Sequence, residues 1–113
     1  MELSACIVTY NCSEEAIRAA QTVLDHTRRH PLTLYLVDNA SPDGSGAALQ
    51  QAAGNGVLAC AEHQKVVVVC REHNGGFGTG HNTVLPELTS GYHFILNPDI
   101  QLPAGTLNDL ADW

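Results

Sequence analysis

The chain has 113 residues, 44% of them hydrophobic, enough for one domain built on one apolar core. Five Lys and Arg against twelve Asp and Glu leave a net charge of −7. That balance argues against a nucleic-acid surface and against adhesion to anionic lipid, although backbone N–H groups and a metal ion can still bind an anion.

In chain order, LSACIVTY (3–10) is a short apolar run that predicts a buried strand. SEEAIRAAQTVLDHTRRH follows as a helix, with Ser13 as N-cap and Glu14 and Glu15 in its first turn. Ile17, Ala20, Val23 and Leu24 recur at helical spacing, and Arg28, Arg29 and Pro31 close the segment. LTLYLV (32–37) predicts a second strand, and GAALQQAAGNGVLACA a helix broken at Gly54 and Gly56. KVVVVC is the third strand and YHFIL (92–96) the fourth. Between them FGTGHNTVLPEL reads as helical, with Pro86 kinking or ending it, and Pro103 starts a last short helix towards Trp113.

The alternation β-α-β-α-β-α-β predicts an α/β fold: a parallel sheet in order 3-2-1-4, with right-handed crossovers and helices on both faces. The near-continuous apolar strands suit a sheet buried on both sides. Cys6, Cys12, Cys60 and Cys70 lack C-x-x-C spacing and are expected reduced, with Cys6 and Cys70 in the core. The start, MELSACIVTY, has neither a basic n-region nor a long apolar h-region, and no run of about 18 apolar residues occurs. A cytoplasmic protein without a signal peptide or transmembrane segment is expected.

Each predicted strand is followed at once by polar or glycine residues. These are Thr9-Tyr10-Asn11, Asp38-Asn39-Ala40-Ser41, His73-Asn74-Gly75-Gly76 and Asn97-Pro98-Asp99. A parallel sheet puts all of these exits on the edge where open α/β sheets bind ligands. The run HNGGFGTGHN carries four glycines in ten positions between a strand and a helix. It serves either as a tight turn or as a cradle whose N–H groups meet an anion. It has neither the Lys-Ser/Thr of a Walker A loop nor a G-x-G-x-x-G spacing.

IVTYN, LVDNASPDGS, NGGFGTGHN and FILNPDI, in this order and spacing, resemble the family 2 glycosyltransferases, and most nearly their rhamnosyltransferase-like branch. The resemblance runs from Ala5 to about Leu107. It implies a GT-A fold whose N-terminal half is a Rossmann-like nucleotide-binding sheet. By that similarity Thr9, Tyr10 and Asn11 line a base pocket, and Asp38 accepts a hydrogen bond from a pyrimidine ring N–H. Asn39 and Ser41 shape the same loop. Asn74, Gly75, Gly76, Phe77 and Gly78 pass close to ribose and diphosphate, and Asn82 holds either the loop or the sugar. NPD stands where the family has D-x-D, with Asn97 in place of the first Asp. Asp99 is then the ligand of Mg2+ or Mn2+ bridging the diphosphate. His73 and His81 read as solvated loop residues.

The resemblance further implies an inverting transfer of sugar from a nucleoside-diphosphate sugar to a cell-envelope saccharide. Residues 1–113 would be the nucleotide-diphospho-sugar-binding part. The acceptor half and a catalytic base, usually an Asp, would lie beyond them, so the chain alone would bind donor without transferring sugar. Apolar surface left by the second half predicts self-association, most simply as a symmetric dimer. A non-catalytic nucleotide-binding module and a sugar-phosphate nucleotidyltransferase are the alternative readings; the latter normally has a basic glycine-rich loop after strand one, absent here.

Overall fold

The computed structural model describes residues 2–55, 58, 60–88, 91–98 and 106–112. Strands β1 (Leu3–Thr9), β2 (Leu32–Asp38), β3 (Gln64–Cys70) and β4 (Tyr92–Leu96) form one sheet in the order β3-β2-β1-β4. Every pairing is parallel, with Thr9 opposite Asp38 and Asp38 opposite Cys70 at the C-terminal ends. The strand order and direction are those the alternating sequence predicts.

The helices are α1 (Ser13–His26), α2 (Ser45–Gly54), α3 (Phe77–Asn82) and α4 (Thr106–Asp112), with a 3-10 turn at Leu85–Glu87. Strand periodicity divides the core in two. Leu3, Ala5, Ile7, Leu34 and Leu36 pack against Ala16, Ala20, Val23 and Leu24 of α1, Leu49 of α2 and Leu107 of α4. On the other face Cys6, Val8, Tyr35 and Val37 meet Val84, just beyond α3. Burial pushes the Cys6 thiol up to about 12, in keeping with an inert core residue.

Only the two central strands match the expectation of a sheet buried on both sides. All of β1 is buried, whereas β3 keeps its valines half-buried. Cys70, expected in the core, is exposed, because it ends a strand with a neighbour on one side only. On the opposite edge Ile95 is 66% exposed.

Helix ends follow local chemistry with one shift. Cys12, not Ser13, occupies the N-cap, and no side-chain bond caps the helix. The Cys12 thiol instead lies 2.7 Å from Thr9 Oγ1. At the far end Gln64 Nε2 donates to the carbonyls of Leu24 (2.9 Å) and Thr27 (2.8 Å), which the helix leaves without partners. α2 ends at Gly54 as predicted, and Pro86 falls in the 3-10 turn after α3 has stopped at Asn82. Asp112 on α4 pairs with Arg29 and with His30 (2.7 Å), which ties α4 to the end of α1. These contacts, the Arg29 bond first, hold the Asp112 carboxyl below the usual carboxylate range. Gly56, Pro103 and Trp113 lie outside the described residues. No helix among the described residues is long and apolar enough to cross a membrane.

Candidate functional site

Parallel pairing places the strand exits along one edge, and side-chain hydrogen bonds join three of them. At the β1 exit Thr9 is buried and Tyr10 is 39% exposed. Asn11 follows with φ of 54°, in the left-handed region that Asn tolerates better than most residues. Its N–H donates to Ser41 Oγ at 2.9 Å. Ser41 Oγ in turn donates to Asp38 Oδ1 at 2.6 Å, and Ser41 N–H donates to Asp38 Oδ2 at 3.0 Å. The Asp38 carboxylate, 3% exposed, is thus held from both sides by one residue.

Close packing completes that enclosure. A Cβ added at Gly46 would stand 3.1 Å from Asp38 Oδ2 and 3.1 Å from Cys70 Sγ, so any side chain there would press on both groups. Burial, followed by the Asp38 charge, pushes the Cys70 thiol up. Asp43 accepts from Ser45 N (2.9 Å) and Ser45 Oγ (2.6 Å) at the start of α2, which holds its carboxyl low.

A second set of bonds joins the exits of β2 and β3. Arg71 N–H donates to the Asp38 carbonyl at 2.9 Å, extending the strand ladder by one step. Arg71 Nη1 donates to Asn39 Oδ1 at 2.6 Å. Asn39 Nδ2 donates to Asn74 Oδ1 at 2.8 Å and to the Gly76 carbonyl at 3.1 Å. Asn74 Oδ1 also accepts the Gly76 N–H at 2.8 Å. Gly76 has φ of 92°, a conformation that needs glycine, whereas a Cβ added at Gly75 would stand 3.1 Å from Thr79 Cγ2. A Cβ at Gly80 would come within 2.7 Å of Val8, so α3 lies directly on β1.

Of the residues the sequence singles out, Thr9, Tyr10, Asn11, Asp38, Asn39, Ser41, Asn74 and Gly76 therefore belong to one bonded or adjoining edge. Gly78, Asn82 and Asn97 are exposed and share none of these hydrogen bonds, and Asp99 lies outside the described residues. Among the described residues no group of three or more His, Cys, Asp and Glu side chains could hold a metal ion.

The sequence pattern does not mark Arg71 or Gly46 as site residues, and it reads Cys12 and Cys70 only as reduced thiols. Arg71 was detectable: residues 9–13, 38–45, 71–82 and 97–99 contain no other Lys or Arg. It also misread His81. His73 is exposed as expected, but His81 is half-buried with its Nδ1 enclosed and lacking a hydrogen-bond partner. Burial, then the neighbouring His93, lowers the His81 pKa. His93 Nδ1 lies 2.6 Å from Ser4 Oγ, its Nε2 is enclosed without a partner, and burial lowers its pKa too.

A cavity of about 260 Å³ opens on this edge among Asn11, Cys12, Ser13, Glu14, Glu15 and Asp43. Its three carboxylates repel an anion. A wider cavity of about 390 Å³ lies at the opposite end of the sheet, bordered by Glu2, Pro31, Glu62, His63 and Lys65. It is far from every polar strand exit, and the Gln64 on its wall is committed to the α1 carbonyls.

A parallel 3-2-1-4 sheet with flanking helices is the Rossmann-like architecture of the GT-A fold. Residues 4–113 match Glycosyl transferase family 2, and the chain belongs to that family. Among solved structures it superimposes on the mannosyltransferase PcManGT from Pyrobaculum calidifontis, in complex with GDP-Man and Mn2+, with a TM-score of 0.83 and 22% identity. That alignment covers 98% of this chain and 31% of the mannosyltransferase. S. aureus TarS 1-349 in complex with UDP aligns with a TM-score of 0.76 and 22% identity, over 99% of this chain and 31% of TarS 1-349. The chain thus spans about a third of the length of these structures. No curated protein gives a significant match.

Proposed function

We propose that the chain is the donor-binding part of an inverting glycosyltransferase that takes a nucleoside-diphosphate sugar and acts in cell-envelope saccharide synthesis, on the rhamnosyltransferase-like branch of its family. The observation that carries this reading is the bonded edge: Ser41 links the exits of β1 and β2, and Asn39 links those of β2 and β3. Such an edge, built from three separate stretches of sequence, suits a ligand with several chemically distinct parts. That solved neighbours carry GDP-Man with Mn2+ and UDP supports a nucleotide sugar as the ligand class.

In this reading the base lies by Tyr10 and Asp38, where a carboxylate fixed by Ser41 offers acceptor capacity without a rotamer search. The glycine loop lies beside ribose and diphosphate, its approach unobstructed at Gly76 and Gly78, where an added Cβ would meet nothing. Asp99 is the proposed ligand of Mg2+ or Mn2+, an ion that would offset charge on the departing diphosphate. An acceptor hydroxyl, deprotonated by a base outside this chain, would attack the anomeric carbon and leave it inverted.

Calorimetric titration of the chain with UDP and GDP, with and without Mn2+, tests the reading. Saturable 1:1 binding strengthened by Mn2+ is expected. Absence of binding to either nucleotide refutes it.

A further inference from the structure

Helix α3 lies on β1 and β2 without a hydrogen bond to either among the described residues. Its backbone bonds, and that of Thr83 Oγ1, stay within residues 76–84. Apolar packing holds it instead. Val84 is buried with Cys6, Val8, Tyr35 and Val37, and Gly80 rests on Val8. The segment is tied down only at its start, where Asn39 Nδ2 donates to the Gly76 carbonyl at 3.1 Å. A short helix fixed at one end and held by apolar contact can open without unfolding the domain.

One imidazole on this helix and one on β4 meet that packing with unsatisfied atoms. His81 Nδ1 and His93 Nε2 are both enclosed, and neither has a hydrogen-bond partner. His93 Nδ1 lies 2.6 Å from Ser4 Oγ, on the face of β1 that also carries Cys6 and Val8. The rings are near enough for a charge on His93 to act on His81. An imidazolium carries N–H on both nitrogens, whichever tautomer the neutral ring adopts. A proton on either ring therefore puts a charged donor at an enclosed nitrogen with no acceptor. His30 makes the contrast, with Asp112 at 2.7 Å from its ring. His81 and His93 have no carboxylate within 4 Å among the described residues. Cys6 and Tyr35 share this face, and a thiol and a phenol stay uncharged in acid. Arg71 is bonded to Asn39 at the tied end, where His73 is exposed. Glu2, two residues before Ser4, is exposed too, and Glu87 is the carboxylate nearest to His81 in sequence.

We propose that His81 and His93 form a proton-sensitive latch, in which protonation of these rings frees residues 77–84 from the sheet with Gly76 as the pivot. Neutral rings tolerate the enclosure, and the helix stays packed. Charged rings repel each other and regain water only when the helix lifts. Burial lowers both pKa values in the closed state, so the open state takes up protons first as pH falls. Above the ordinary histidine value of about 6.5 the latch is shut, and below it the open fraction grows. Exposure of Val84 opposes the opening. The latch moves the end of the glycine loop whatever ligand the strand exits take, so it stands apart from the nucleotide reading.

Native-state hydrogen exchange on the 113-residue chain, read by NMR at several denaturant concentrations, tests the latch at about pH 5 and about pH 7.5. The amides of Gly80, Thr83 and Val84 should exchange through an opening that denaturant barely affects. Its equilibrium constant should rise at least about fivefold at the lower pH, and one ring regaining an ordinary pKa can supply at most about 30-fold. Buried amides of α1 should exchange through global unfolding, with a strong denaturant dependence. His81→Gln/His93→Gln should abolish the pH dependence of the opening, and Glu2→Gln/Glu87→Gln should leave it in place. Ring-proton titration of the wild type should show His81 and His93 titrating below the ordinary histidine value, and it decides alone if the paired histidine variant does not fold. The latch is overturned by any of four results: an opening that ignores pH, exchange of residues 80–84 only with global unfolding, pH dependence that survives the histidine pair or vanishes with the glutamate pair, or rings that titrate at or above the ordinary value.

Discussion

The two ends of the sheet each carry a buried amide, and they use it differently. At the N-terminal end Gln64 donates to Leu24 and Thr27 carbonyls and accepts the Ala61 N–H at 2.9 Å. All of its partners are backbone groups of helix or turn ends, so nothing charged is left pointing outward. At the C-terminal end Asn39 is just as fully bonded, but its partners include the Arg71 side chain and a glycine loop. A saturated amide closes a structure in the first case and presents a cation in the second. The identity of the partner, not burial, separates a structural polar group from one that organises a site.

Substitutions can break this contrast, and the largest effect belongs to the closed end. Gln64→Leu strands two carbonyls and an N–H and should cost about 3 kcal/mol in chemical denaturation, with UDP affinity unchanged in the folded fraction. Next comes Gly80→Ala, whose Cβ would press on Val8; overpacking of this kind costs about 1–3 kcal/mol and should show as a lower Tm. Asp38→Ala should act mainly on the open end and weaken nucleoside binding by about 2 kcal/mol, the worth of a hydrogen bond to a charged group, by calorimetry.

Much of this architecture could be read from sequence, and for identifiable reasons. Parallel order follows from alternation of short apolar runs with amphipathic segments, and the common polar edge follows from that order. Edge and centre of a sheet look alike in sequence, so the pattern predicts Cys70 in the core although the fold leaves it exposed. Asn39 and Asp38 are adjacent acceptor-bearing residues with no sequence mark to show that one is wholly committed to internal partners and the other to Ser41. His81 looked solvated because the pairing that brings β4 and His93 beside β1 is remote in the chain.

Acidification should have a smaller effect, distributed between those two imidazoles. Both have pKa values below the ordinary histidine value in the folded protein, so the unfolded chain binds protons first. Their contribution is complete above about pH 6.5 and shrinks as pH falls towards the lowered folded values. His93→Gln and His81→Gln should each flatten that slope in denaturant titrations run at several pH values. The smallest effect is expected from Asp112→Asn, since its pairs with Arg29 and His30 are exposed to solvent and salt. Thermal melts at low and high ionic strength would show it.

The register of β4 also sets an order of assembly. Leu3 lies opposite Tyr92, and Ser4 reaches His93 across 89 positions of chain. By contrast β1 and β2 are joined through one helix, as are β2 and β3. Closing the longest loop costs the most chain entropy before any contact repays it. The first three strands can therefore condense as a growing chain emerges, with Asn39 and Arg71 already meeting, while β4 docks afterwards on the free side of β1. The exit that leads to Asn97 is then the last piece of the edge to be put in place.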